Sequence, residues 1–82
     1  MQRIVDCTAK DNYHLWVKFD NGREGIVDLS DLVGKGVFKA WEDETVFKSV
    51  VIDPVAKTVS WLNGQIDLDP DVLYEDILKK SA

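Results

Sequence analysis

The sequence predicts an α+β domain with two three-stranded antiparallel β-meanders, short helical turns between them and a C-terminal helix. Three observations carry this prediction. Residues 13–29 alternate apolar and polar side chains around an Asp-Asn-Gly turn, which is typical of a hairpin. Asn63-Gly64, between two short apolar runs, indicates a second hairpin. Asp69-Pro70 then begins a helical pattern, because Asp caps a helix and Pro is tolerated at its first position.

Composition sets the class of protein. The 82 residues are 45% hydrophobic and 30% charged, which suits a single domain over residues 1–82 with its own core. The net charge is −5, and the ten Lys and Arg are scattered along the chain. Direct nucleic-acid binding needs a concentrated basic patch, so we do not expect it, and an anionic membrane surface is disfavoured for the same reason.

The ends and the cysteine content predict the compartment. The first residues lack the apolar stretch of a signal peptide, and no run approaches the roughly 20 apolar residues of a membrane span. Cys7 is the only cysteine, so it cannot form an internal disulfide. We therefore expect a soluble cytoplasmic protein.

The first strand is predicted over residues 3–9. Its period-two alternation groups Val5, Cys7 and Ala9 on one face, with Ile4 and Asp6 on the other. The polar residues 10–12 then form a turn into the hairpin.

The hairpin register follows from which residues would be buried. A two-residue loop, Asn21-Gly22, would set Leu15 opposite Asp28 and bury a carboxylate. A three-residue loop over residues 20–22 sets Leu15 opposite Val27, and we prefer it, with the glycine in the left-handed conformation. The same register gives three further pairs: Tyr13 with Leu29, Lys18 with Glu24, and Trp16 with Ile26.

Trp16 and Ile26 share the face of the hairpin that points away from Leu15. Because large exposed apolar patches are uncommon, we expect a helix or loop of the same chain to cover this face. If instead it is open, the face is a candidate contact surface, since Trp often anchors interfaces. The candidate partner-binding residues are Trp16, Ile26 and Trp41.

The middle of the chain predicts three short turns. Residues 29–34 form one, which Ser30 would cap. Residues 37–41 form a brief helix, and Asp43 caps a further turn that contains Val46 and Phe47.

The second meander has predicted strands over residues 49–53, 58–62 and 65–68. A two-residue Asn63-Gly64 loop gives the pairs Trp61 with Ile66, Ser60 with Asp67 and Val59 with Leu68, and Ile52 opposite Val59 extends the apolar face.

The C-terminal helix begins after Asp69. A narrow apolar stripe should dock it on a sheet, and its members are Val72, Leu73, Tyr74, Ile77 and Leu78. Lys79 and Lys80 lie near the negative end of the helix dipole, as expected.

No set of reactive residues stands out. His14 is the only histidine and Cys7 the only thiol, which is too few for a zinc site. The acidic trio Asp67, Asp69 and Asp71 lacks the glycine of a calcium loop and is interrupted by a proline. Neither Ser30 nor Ser60 has a plausible His–Asp arrangement beside it. We predict no catalytic residue, no cofactor and no metal.

The ordered motifs resemble one family. They are Phe-Asp-Asn-Gly at 19–22, Val-Asp-Leu at 27–29, Phe-Lys-Ser-Val at 47–50, and above all Trp-x-Asn-Gly-x-x-Asp-Leu-x-Pro-Asp-x-Leu-Tyr at 61–74. Over residues 3–78 the chain resembles the bacterial family called domain of unknown function 2442. The resemblance implies a small α+β domain without an established activity. It also implies a neighbouring gene for a second small protein, in an arrangement similar to toxin–antitoxin pairs.

These observations predict a non-enzymatic protein-interaction module that uses an exposed strand edge or the Trp16/Ile26 face. Its acidity suits a basic partner, as in an antitoxin that masks a basic toxin. Two alternatives remain open: a small enzyme or ligand-binding domain with a site between the sheets, and a domain that self-associates as a homo-oligomer.

Overall fold

The computed structural model describes residues 2–81, and it confirms the predicted fold class. The six strands are β1 (Ile4–Ala9), β2 (His14–Phe19), β3 (Glu24–Asp28), β4 (Val51–Asp53), β5 (Thr58–Trp61) and β6 (Ile66–Asp67). The two α-helices are α1 (Glu44–Lys48) and α2 (Pro70–Ser81). Short 3-10 turns cover Asp11–Tyr13, Ser30–Leu32 and Gly36–Glu42. The first sheet has the order β1-β2-β3 and the second sheet the order β4-β5-β6, and both are antiparallel.

The predicted register of the first hairpin is confirmed. Leu15 pairs with Val27 and Trp16 with Ile26, as the three-residue loop requires. The Phe19 amide donates to the Arg23 carbonyl over 2.8 Å, which closes that loop. Its glycine has φ of +89°, the left-handed conformation that glycine adopts without steric cost.

The predicted faces of the first strand are wrong at its start. A bulge between Ile4 and Asp6 adds one unpaired residue, Val5. An extra residue reverses the alternation on one side of the bulge. Ile4 therefore points into the core with 1% of its surface exposed, and Val5 is 55% exposed. Beyond the bulge Cys7 and Ala9 pack against the core as predicted.

The second hairpin also has the predicted register, with Trp61 opposite Ile66. The loop is longer than the predicted two residues, because Leu62, Asn63 and Gly64 all have positive φ, of +53°, +57° and +88°. The Gly64 amide donates to the Trp61 carbonyl and the Gln65 amide to the Leu62 carbonyl, each over 3.2 Å, so residues 62–65 connect β5 with β6. β6 is shorter than predicted and ends at Asp67. The Val59–Leu68 pair is therefore not part of the ladder, and the Leu68 carbonyl instead accepts a hydrogen bond from the Thr58 hydroxyl at 2.6 Å.

β5 is buried on both of its faces. Val59 and Trp61 are fully buried on one face, while Thr58 and Ser60 on the other are only 4% and 2% exposed. Alternating strands usually leave their polar side chains in water. The central strand of the second sheet therefore has no solvent-facing side, while its flanking strand β4 remains partly exposed at Val51.

An aromatic cluster fills the interior between the two sheets. The centroid of the Trp41 ring lies 4.7 Å from that of the Trp61 ring and 5.0 Å from that of the Phe47 ring. Trp61 Nε1 donates to the Phe47 carbonyl over 2.7 Å, and the Tyr13 hydroxyl donates to the Trp41 carbonyl over 2.6 Å. Trp41 Nε1 is buried without a hydrogen-bond partner among the described residues.

Helix α2 begins as predicted but uses a narrower apolar stripe. The Asp69 carboxylate accepts a hydrogen bond from the Asp71 amide at 2.9 Å, which confirms the cap. Leu73 and Ile77 are buried at 4% exposure and Tyr74 is partly buried. The two other predicted members remain in solvent, Val72 at 60% and Leu78 at 39%.

The helix packs closely on β3 because β3 carries a glycine there. A Cβ at Gly25 would lie 2.8 Å from a methyl carbon of Ile77, which is closer than carbon atoms approach in proteins. Gly25 is opposite Val17, so this contact lies on the core face of the first sheet. α2 therefore covers the core face of the first sheet and does not cover the opposite face.

Candidate interaction surface

The outer face of the first sheet is the side opposite the core. The side chains on this face point away from those of Leu15 and Val17. They belong to Asp6, Thr8, His14, Trp16, Lys18, Glu24, Ile26 and Asp28. Ile26 is 47% exposed and Trp16 is partly exposed. The expectation that a helix or loop of this chain covers the face is therefore wrong, because α2 packs on the core face instead.

Trp16 and Ile26 form the apolar centre of the outer face. They occupy a non-hydrogen-bonded position of the ladder, where paired side chains lie closest together. Trp16 Nε1 donates a 3.3 Å hydrogen bond to the Glu24 carboxylate, which favours one orientation of the indole. The result is an oriented aromatic ring beside an exposed aliphatic side chain.

Trp41 does not belong to this surface. It is 0% exposed and packs inside the aromatic cluster. The third candidate partner-binding residue is thus a core residue in the structure. The sequence places Val37, Phe38 and Trp41 on one side of a brief helix, but in the 3-10 turn Trp41 is buried while Val37 is 62% exposed.

Asp28 forms one border of the outer face. Its carboxylate accepts hydrogen bonds from the Ser30 hydroxyl at 2.7 Å and the Ser30 amide at 2.9 Å. Those two bonds lower the pKa of Asp28, and the nearby His14 and Lys80 act in the same direction. The predicted capping role of Ser30 is therefore reversed, since Asp28 accepts the bond that opens the turn.

His14 is held beside Asp28 without a catalytic partner arrangement in the described chain. Its Nδ1 lies 3.2 Å and 3.0 Å from the carbonyl oxygens of Asp11 and Asn12, so Nδ1 carries the proton. Its Nε2 lies 3.8 Å from an Asp28 carboxylate oxygen. The ring thus connects the turn before β2 with the end of β3.

The outer edge of β3 is a second surface feature. β3 is at the end of its sheet. Hydrogen bonds at Arg23 and Leu29 show that its odd-numbered residues face β2. The backbone N–H and C=O groups of Glu24, Ile26 and Asp28 therefore point away from the sheet, as in any edge strand.

An apolar groove of about 300 Å³ lies where the turn after β3 meets α2. Its floor is aliphatic and consists of Leu29, Leu32, Leu68, Val72 and Leu73. Its rim is acidic and consists of Asp28, Asp31, Asp69 and Asp76. Asp28 borders both the groove and the outer face. Sequence reasoning missed this groove, because its walls come from segments that are far apart in the chain.

Metal and thiol chemistry have little support in the described part of the chain. Within residues 2–81 no group of three or more His, Cys, Asp or Glu side chains is placed to hold a metal ion. Burial, with a smaller effect of Asp6, raises the pKa of the Cys7 thiol and so disfavours the nucleophilic thiolate. No helix within the described residues has the length and apolar character needed to cross a bilayer.

Fold and surface together define a small α+β domain in which one sheet has a fully buried central strand and the other has an open outer face. The chain belongs to the family described as protein of unknown function DUF2442, whose model matches residues 4–79. No curated protein and no solved structure matches the chain.

Proposed function

We propose that this chain is a non-enzymatic protein-interaction module that binds its partner with the outer face of the first sheet. The observation that supports this is the open Trp16–Ile26 pair, in which Ile26 is 47% exposed beside an oriented indole. Tryptophan supplies much contact area at a small cost in conformational entropy, and is enriched at the energetic centres of interfaces. A charged and polar border surrounds the pair, as in other interfaces with an apolar centre.

The partner that fits this surface is a basic protein. The chain carries a net charge of −5. On the outer face the carboxylates of Asp6, Glu24 and Asp28 outnumber one lysine, Lys18, which lies opposite Asp6 and Glu24. Opposite charge steers association and selects among partners. We propose the role of the acidic member of a toxin–antitoxin-like pair in the cytoplasm, with the product of a neighbouring gene as partner.

The test is coexpression with the product of the adjacent gene, followed by calorimetric titration of the purified proteins. Trp16→Ala and Ile26→Ser should each weaken binding by tenfold or more, which corresponds to about 1.4 kcal/mol. Val55→Ser is the matched control, because Val55 is a 90% exposed aliphatic residue in a turn of the second sheet. The affinity of the Val55→Ser variant for the partner should equal that of the wild type.

Urea denaturation of each variant must accompany the titration, so that loss of binding is separated from loss of folding. The proposal fails if both outer-face variants remain folded and bind the partner as tightly as the control.

The groove supports a second candidate, a small-ligand domain. Its volume of about 300 Å³ is at the lower limit for small-molecule sites, and its floor is apolar. Its four rim carboxylates would select a cationic ligand with an aliphatic part. We rank this function second because the groove presents few polar groups that converge on one point.

A further inference from the structure

We propose that the outer edge of β3 accepts an antiparallel strand from the partner, with basic residues opposite Glu24 and Asp28 and an apolar residue opposite Ile26. This inference rests on the proposed function and specifies how the partner binds. It assigns a main-chain interface to a strand that the domain itself leaves unpaired on one side.

The backbone of β3 is suited to strand addition. Its Glu24, Ile26 and Asp28 residues direct their N–H and C=O groups outward, because the odd-numbered residues take the bonds to β2. Ile26 would exchange two hydrogen bonds with the residue opposite it. An added strand thus gains its main-chain bonds from groups that are already aligned by the sheet.

The side chains of β3 select the occupant. Glu24, Ile26 and Asp28 all point to the outer face, so an added strand meets an acidic, apolar and acidic series at every second residue. Opposite charges directly across a ladder stabilise the pair, and like charges destabilise it. A strand with the pattern basic, any, apolar, any, basic complements this series.

The same series disfavours a second copy of the chain. If β3 paired with β3 of another copy around a two-fold axis at Ile26, each Glu24 would lie opposite an Asp28. Two carboxylate pairs would then face each other at one edge. The edge is consequently protected against self-pairing while it remains complementary to a basic strand.

The outer face and the edge form one continuous surface. The apolar residue of an added strand would lie beside Ile26, which itself lies beside Trp16 in the neighbouring strand. The three side chains would form one apolar row across the sheet, flanked by charge pairs. Strand addition would therefore bury the open Ile26 side chain that the fold of the isolated chain leaves in water.

The experiment uses the ¹⁵N-labelled chain of residues 1–82 and an acetylated, amidated peptide with the central sequence Lys-Thr-Val-Thr-Arg. We expect shifts of the Glu24, Ile26 and Asp28 amide signals and slower hydrogen exchange at these amides. The same peptide with an N-methylated Val cannot donate to the Ile26 carbonyl and should bind about tenfold or more weakly. A Glu-Thr-Val-Thr-Glu peptide should bind more weakly still.

A charge-reversal variant provides the control on the protein side. Glu24→Lys should reduce affinity for the basic peptide by up to about fivefold. Glu75→Lys changes the net charge equally on an exposed position of α2 and should have a smaller effect. Equal effects of the two variants would contradict pairing at Glu24.

Three results overturn the strand-addition proposal: no binding, equal affinity for the N-methylated peptide, or shifts confined to the groove. None of them bears on the proposed function, which depends on the titration with the adjacent gene's product. If that titration shows loss of binding with the Trp16 and Ile26 variants, the module stands and only its binding mode is different.

Discussion

The two sheets of this domain have the same topology and opposite environments. Both are three-stranded antiparallel meanders in which the second strand in the sequence, β2 or β5, lies between the other two. In the second sheet every residue of β5 is buried, including Thr58 and Ser60. In the first sheet only one face of β2 is buried, and the other presents Trp16 to the surface.

This difference separates a sheet whose central strand is used only for packing from the sheet to which we assign binding. The second sheet contributes Trp61 to the aromatic cluster and leaves no face of its central strand for a partner. The first sheet contributes Leu15 and Val17 to the same core and keeps its outer face free. A tryptophan on each sheet therefore has a different role, and substitutions at the two positions measure that difference.

The largest expected effect is at Trp61. Trp61→Ala should destabilise the fold by about 3–5 kcal/mol, because it removes a fully buried ring and the hydrogen bond to the Phe47 carbonyl. Trp16→Ala should cost about 1 kcal/mol, since the ring is partly in solvent. Urea denaturation followed by far-UV circular dichroism measures both. Similar losses for the two variants would show that the sheets do not differ as described.

The next largest effect is on stability at the contact between α2 and the core face of the first sheet. Gly25→Ala should destabilise by about 1–3 kcal/mol, because its Cβ would overlap Ile77. The double variant with Ile77→Ala tests the cause. If overlap is responsible, adding Gly25→Ala to Ile77→Ala should cost clearly less than adding it to the wild type. An additive pair of effects would contradict the close contact.

The smallest expected effect is on the pH dependence of stability. It is measured at one carboxylate from each sheet, Asp28 and Asp53. Hydrogen bonds from Ser30 lower the pKa of Asp28, and hydrogen bonds from the Ala56 and Val55 amides lower the pKa of Asp53. A carboxyl whose pKa is lower in the folded state stabilises the fold above its unfolded pKa, and loses that contribution as the pH falls through its folded pKa.

Asp28→Asn and Asp53→Asn should therefore each lower stability at neutral pH and differ less from the wild type below about pH 3.9. Denaturation series at pH 7 and pH 3 measure this change. Only Asp28→Asn should also weaken binding of the basic peptide, because Asp53 lies in the second sheet, away from the proposed edge. A constant difference from the wild type at both pH values would show that the hydrogen bonds do not depend on charge.

Local sequence was sufficient for the hairpins and the helix start. The cost of burying Asp28 opposite Leu15 predicts the observed register of the first hairpin, and Asn63-Gly64 predicts the position of the second turn. The Asp69 cap was equally readable, because a cap depends on residues that are neighbours in the chain. These features are determined by adjacent residues, so a pattern is enough to reveal them.

Features that depend on packing between distant segments could not be read in this way. The bulge at Val5 has no signal in a period-two pattern, and the burial of Ser60 depends on what covers the second sheet. The sequence does not show on which side of the first sheet α2 packs, so it does not reveal that the outer face is open. The burial of Trp41 likewise depends on its contact with Trp61, which is distant in the chain.

Two hydrogen bonds join the start of the described chain to segments far along the sequence, and they bear on the order of folding. The Ile4 amide donates to the Lys57 carbonyl over 2.9 Å, and the Gln2 amide donates to the Asp71 carboxylate over 2.7 Å, across a separation of 69 residues. Contacts between residues this far apart in the chain require a long loop to close, which costs more entropy than the neighbouring β1–β2 pairing. We therefore expect them to form late in folding, after the first hairpins.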